Sequence, residues 1–259
     1  MISIIQHHLR SSQLLARRLS AMRAKVSEAA LDSIGLDETR RQFEPGSQIF
    51  AEGARNEVQL LVGGVVGDVR LLANGRRQIL ALRFPGELLT SDAGETLVAL
   101  TRVLVADGSP FMTCLNNPEP EYQPLRRAWL AAGRCEVAIL RDQVVRLGRM
   151  SAFERMAHML LEAHERLSQV GLATDTTFHL PLTQEMVSDV IGLSVVHLNR
   201  TLQALRRGGL VSSKQNYVTL VDRAQLVEAS GYVSRFPAPW QPNEAFLPRR
   251  GSALRAVAA

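Results

Sequence analysis

The stretch LTQEMVSDVIGLSVVHLNRTLQALRRGGLV, running from Leu182 to Val211, constrains the fold of this chain more than any other. Thr183 and Ser194 are each placed to N-cap a short helix, their hydroxyl oxygens accepting from backbone N–H groups that a first turn leaves unpaired. Gly192 stands in the turn between them. Helices joined so tightly touch at once, which requires a small residue on the inner side of the first, and Ser188 occupies that place. Val187, Ile191, Leu193 and Leu198 supply the shared core. The pattern predicts a helix-turn-helix over residues 183–207 whose second helix begins at Val195.

The residues C-terminal to this unit add chemistry. Gly208-Gly209 ends the second helix, and LVSSKQNYVTLV reads as a β-hairpin turning at Lys214 to Asn216, which makes a winged helix. From Val195 to Lys214 the basic residues are Arg200, Arg206, Arg207 and Lys214, and no acid interrupts them, a distribution that suits phosphate. His197, Asn199 and Arg200 can project polar groups toward base edges, and the arginine fork suits guanine O6 and N7 best. Ser212, Ser213 and Lys214 on the hairpin are candidates for backbone phosphate. Thr183, Gln184, Ser194, Val195, Val196, Gln203 and Arg206 complete the expected DNA-binding set.

Upstream, the runs QIFA, EVQLLV, VVGDVRLL, RRQILALR, ETLVAL and RVLVAD between Phe43 and Asp107 alternate with glycine-containing turns, and they predict a sandwich or jelly roll. A proline-rich stretch, Asn116 to Pro124, gives way to apolar residues at helical spacing from Leu125 to Gln169. Leu125, Trp129, Ile139, Val144, Leu147 and Met150 are read as one seam, facing either a second copy of the chain or its own β-domain. Gly148 and Ser151 mark a break, after which FERMAHMLLEAHERL forms an amphipathic helix with Phe153, Met156, Leu160 and Leu161 inward. Gly171 to Phe178 is read as a polar linker, and Pro237, Pro239, Pro242 and Pro248 mark a tail expected to be disordered. At the other end Arg10, Arg17, Arg18, Arg23 and Lys25 interleave with Leu9, Leu14, Leu15, Leu19 and Met22, which reads as an amphipathic helix with a solvated basic face or as a transit-type segment.

Composition narrows the function classes. The formal net charge of +5 permits binding to polyanions without requiring it. Cys114 and Cys135 are too few for a disulfide framework or for a four-thiolate iron–sulfur cluster, and a reducing cytoplasm is the expected location. No apolar run approaches the ~18 residues of a membrane span. There is no nucleophile elbow, phosphate loop or metal-spaced His/Cys set, so the chain is not read as an enzyme, and no metal or catalytic residue is assigned.

The segments FEPGSQIFAEG, LLANGRRQILALRFPGELL, RMAHMLLEAHERL and the helix-turn-helix itself resemble the Crp/Fnr family of bacterial transcription regulators, over roughly residues 43–232. The resemblance implies an α+β architecture: an N-terminal cyclic-nucleotide-binding-like jelly roll, a long dimerisation helix and a C-terminal winged helix-turn-helix. The corresponding divisions are residues 1–40, a helical segment; 41–115, the β-roll; 121–150, the dimerisation helix; 151–235, the DNA-binding domain; and 236–259, the tail. It also implies double-stranded DNA with a two-fold symmetric operator, a homodimer, and RNA polymerase as partners, with no membrane. The chain departs from the family in three respects. Gly86-Glu87-Leu88 keeps the turn of a phosphate cassette, but Leu89 to Ala99 carries no basic residue to neutralise a cyclic phosphate, so Glu87 is assigned to a turn rather than to a ribose contact. No cysteine precedes Cys114, against an iron–sulfur sensor, and His7, His8, His158 and His164 are read as ordinary helix residues rather than haem ligands. Many members carry a glutamate where this chain has Val196, which offers apolar contact only. The effector is left unassigned, and the alternative reading is a ligand-sensing module that acts through protein partners.

Overall fold

The computed structural model describes residues 10–22, 31–32, 34–36, 39–91 and 96–236. Helix α1, Ser11–Ala21, is followed by seven strands: β1 Arg40–Phe43, β2 Val58–Gly63, β3 Val66–Leu71, β4 Arg77–Arg83, β5 Leu88–Thr90, β6 Leu97–Ala99 and β7 Val103–Asp107. They form two antiparallel sheets, ordered β1-β7-β2-β5 and β4-β3-β6, as a jelly-roll reading requires. Leu61, Val66, Val103 and Val105 are among the side chains buried in one of its cores. Three segments differ from expectation. QIFA is not a strand, because only Gln48 bridges to Val98, whereas β1 and the three-residue β5 lie outside the expected runs.

Helix α2, Ser109–Asn116, and a 3-10 turn lead into α3, Gln123–Arg149, which Pro124 opens. Met150 is extended and ends α3, and Ser151 then caps α4, Ala152–Gln169, in a reciprocal capping box with Glu154. The seam read along α3 divides between two faces. Leu125 and Ile139 are buried in the chain's own core, whereas Val144 is 67% exposed. The polar linker also ends earlier than read: Thr177–His179 is strand β8, and Phe178 is fully buried.

The basic face of α1 is not solvated throughout. Leu14, Leu15 and Leu19 enter the main core, Arg17 donates to the Val170 carbonyl at 2.9 Å, and Arg18 is buried. Arg23, Lys25, Leu9, His7, His8 and the four tail prolines lie outside the described residues. Arg18 belongs to a buried ionic chain centred on Glu87. The Glu87 carboxylate accepts from Arg166 Nη2 at 2.7 and 2.8 Å and from Arg166 Nε at 3.0 Å, with Arg18 Nη2 at 3.3 Å. Arg166 continues to Glu162 at 3.0 Å, Glu162 pairs with Arg146, and Arg146 reaches Gln143 at 2.7 Å and His158 Nδ1 at 2.9 Å. Gly86 lets this turn approach, since at φ +90° an added Cβ would lie 2.8 Å from Val170 Cγ1. Burial alone would push the Glu87 carboxyl up, but the Arg166 and Arg18 guanidiniums outweigh it and hold it below the usual carboxylate range.

His158 sits at the end of this chain with its ring edge-on to Tyr232 at 4.9 Å. A guanidinium only donates, so Nδ1 of His158 accepts and the ring is neutral. Burial and then Arg146 lower its pKa from 6.5 to about 4. The unfolded chain takes up this proton near pH 6.5 while the folded chain does not, so stability is expected to fall as the pH drops from 6.5 toward 4. Urea midpoints across that window check the slope, and His158→Gln is expected to shrink it.

Candidate nucleic-acid interface

The helix-turn-helix is built from α5, Gln184–Ile191, and α6, Val195–Arg207. Thr183 Oγ1 accepts from Met186 N at 3.2 Å and Ser194 Oγ from His197 N at 3.3 Å, so both expected caps are in place. Gly192 adopts φ +65°, a sign that suits the turn, while Leu193 N donates back to Ser188 O at 3.1 Å. Ser188 is buried, its hydroxyl donating to Glu185 O, and Val187, Ile191 and Leu198 are buried around it with Leu193 packed alongside.

Side chains from outside the motif fix its position. The last carbonyls of a helix have no intrahelical partner. Here Gln78 of β4 donates to Asp189 O at 2.5 Å, Gln143 of α3 to Val190 O at 2.6 Å, and Arg155 of α4 to Ile191 O at 3.2 Å. Arg77 adds an ion pair to the Asp189 carboxylate at 2.7 Å. Thus side chains from the β-roll, α3 and α4 converge on the end of α5, and α6 is aimed by them. A second tie lies beyond α7, Arg223–Ser230: Tyr232 donates to Glu165, Arg235 pairs with Asp142 of α3, and Phe236 packs with Met22, Cys135 and Ile139 under the Arg18 guanidinium.

The wing is the sheet β8-β10-β9, with β9 Val211–Lys214 and β10 Tyr217–Leu220. Gln215 and Asn216 close it at φ 48° and 65°, one residue beyond Lys214, which pairs with Tyr217. Thr177 and Thr219 hydroxyls meet at 2.9 Å across β8 and β10.

Among the anticipated site residues, Thr183, Gln184, Ser194, Val195, Val196, His197, Arg200, Gln203, Arg206 and Lys214 are exposed, and Asn199 is half-buried. Val196, Arg200, Gln203 and Arg207 succeed one another at helical spacing and form the outward stripe of α6. Arg206 instead donates to Ser213 Oγ at 2.5 Å and ties α6 to the wing. Arg207 stands out in the sequence only as part of a basic run; its place on the stripe, four residues after Gln203, is the signal that marks it. Val196, His197 and Arg200 also face Ser151, Ala152 and Phe153 at the start of α4 across an open groove. The two described histidines of α4 are committed within the fold, His158 to Arg146 and His164 Nε2 to the Thr174 carbonyl at 2.9 Å.

Residues 154–229 match the Crp-like helix-turn-helix domain. The chain is 31% identical over 219 residues to the nitrogen fixation regulation protein FixK of Bradyrhizobium diazoefficiens, covering 82% of this chain and 90% of that protein. It is 26% identical to the transcriptional activator protein FnrL of Cereibacter sphaeroides, over 74% of this chain and 80% of the relative. Among solved structures, FixK2 from Bradyrhizobium japonicum superimposes with a TM-score of 0.63 at 25% identity, over 76% of this chain and 98% of that one. The helix-turn-helix with its wing, the jelly roll ahead of it and these relatives agree: the chain belongs to the Crp/Fnr family of DNA-binding transcription regulators.

Proposed function

We propose that the protein acts as a homodimer in the cytoplasm and binds a two-fold symmetric operator, with one α6 entering the major groove of each half-site. The observation that carries this reading is the acid-free outward stripe Val196, Arg200, Gln203, Arg207 beside a wing that presents Lys214. Arg200 is the base reader, forking onto guanine O6 and N7. Arg207, Lys214 and the wing residues Ser212 and Ser213 hold phosphate, and exposed Thr183 and Gln184 at the start of α5 meet the neighbouring backbone.

The second copy is provided for on α3. Leu130, Val137 and Val144 recur every seven residues with Leu140 between them, and they are 62%, 50%, 67% and 49% exposed. Such a repeat is the seam of a two-stranded coil. In a parallel pair Glu136, whose carboxylate also meets Arg83 of its own chain at 3.3 Å, stands within reach of the partner's Arg141, a contact that favours the parallel direction. The β-roll is the input domain, and the Glu87 carboxylate at its cassette-like turn is committed to Arg166 and Arg18.

Anisotropy titrations on DNA selected from a random pool test the reading. Wild-type binding is expected to weaken steeply with salt, as counterion release requires. Arg200→Ala is expected to lose about 1–3 kcal/mol per half-site and to relax preference at one base pair. Binding that ignores salt, or that Arg200→Ala leaves unchanged, overturns it.

A further inference from the structure

Val196 is not explained by folding. A β-branched residue in the first turn of a helix loses χ1 freedom, and the apolar needs of α6 are met by Leu198 and Leu205, both fully buried. Val196 is nonetheless 63% exposed, at the leading end of the outward stripe, with Val195 beside it partly exposed. Across the groove its neighbours are Ala152 and Phe153 with Ser151, and on its own helix the groove is lined by His197, Arg200 and Thr201 as well as Ala204, so Val196 is apolar surface set among polar groups. No residue of α6 is a carboxylate, and none can accept a hydrogen bond from cytosine N4 through a charged oxygen.

Among the edges that base pairs present in the major groove, the thymine C5-methyl is the apolar feature. Arg200 lies one turn beyond Val196 on the same stripe. Four residues span about 6 Å of helix, less than two steps of B-DNA at ~3.4 Å each. On the basis of the proposed DNA binding, on which this rests, we infer that Val196 is a specificity-determining residue that selects thymine through its C5-methyl, within two base pairs of the guanine held by Arg200.

Deoxyuridine tests this directly, since it keeps every hydrogen-bonding group of thymine and lacks only the methyl. Each thymine of the selected operator is replaced in turn, symmetrically in both half-sites, and affinity is measured for the wild type and for Val196→Ala. One position per half-site, within two base pairs of the Arg200-dependent guanine, is expected to weaken binding by about fourfold per half-site. Val196→Ala is expected to weaken binding to unmodified DNA to a similar extent and to be indifferent to the same replacement. Val196→Glu, selected against the random pool, is expected to exchange the thymine preference for cytosine at that position. Indifference of the wild type at every thymine, or equal sensitivity in Val196→Ala, overturns the inference while leaving DNA binding intact. A pool that yields no enriched duplex overturns the DNA reading and this inference together.

Discussion

Replacement of Arg166 by methionine is expected to destabilise the folded chain by about 3–5 kcal/mol, the usual consequence of removing one partner from a buried ion pair. Arg166 is among the largest fully buried side chains and holds both Glu87 and Glu162. Without it Glu87 keeps only the longer contact to Arg18 at 3.3 Å, inside a site where burial already opposes its charge. The carboxylate must then protonate or draw in water, and either route costs the folded state what the pair had offset. Thermal melts should show a midpoint lower by on the order of 10 °C for a chain of this size. The companion Glu87→Gln separates charge from shape: it keeps an amide oxygen for Arg166 and is expected to lose less than Arg166→Met. A midpoint for Arg166→Met within a degree or two of the wild type would show that the ionic chain does not hold α4 to the β-roll.

The cost matters for function because of where the chain leads. Glu162, Arg146 and Gln143 connect Arg166 to the Val190 carbonyl at the end of α5. Loss of Arg166 therefore loosens one of the four side-chain anchors on the end of α5, alongside those from Gln78, Arg155 and Arg77.

The recognition unit is legible in the sequence because its determinants are local. Both caps, the αL glycine, the small Ser188 and the core residues lie within one or two turns of one another, so spacing alone places them. The jelly roll is legible in outline, from strands that alternate with turns. Its errors have local causes: QIFA has the alternation of a strand but makes a single bridge, and β5 is too short to leave a pattern. The face of α3 does not resolve because one apolar run serves two neighbours, the chain's own core through Leu125 and Ile139 and open surface through Val137 and Val144. Apart from Glu162 and Arg166, which stand four residues apart on α4, the ionic chain leaves no sequence signal. Glu87 does occupy a turn, but its carboxylate finds Arg166 across 79 residues, and the clamp from Gln78 to Asp189 spans 111. Charges that meet through tertiary folding have no period to detect, and the same holds for Arg18, whose basic helix looks fit for solvent.

Aspartate at both Val137 and Val144 is expected to separate the proposed dimer and, with that, to remove most of the affinity for the operator. The two positions face away from the chain's own core, so the substitutions add charge where a single copy meets water, and far-UV circular dichroism and the unfolding midpoint are expected to change little. In a parallel pair the same positions face their own copies. Four carboxylates would then be forced into a narrow apolar seam, and burying even one unpaired charge costs several kcal/mol. Sedimentation should report a monomer at micromolar concentration. A monomer can hold only one half-site, so operator affinity is expected to fall at least about a hundredfold, since a specific complex near 10⁻⁸–10⁻¹¹ M draws on both halves. The loss differs in kind from that of Arg200→Ala: it removes the dependence on the spacing between half-sites, whereas the recognition-helix variant keeps that dependence and loses base preference. Retention of a dimer by Val137→Asp/Val144→Asp would place the interface elsewhere than on α3.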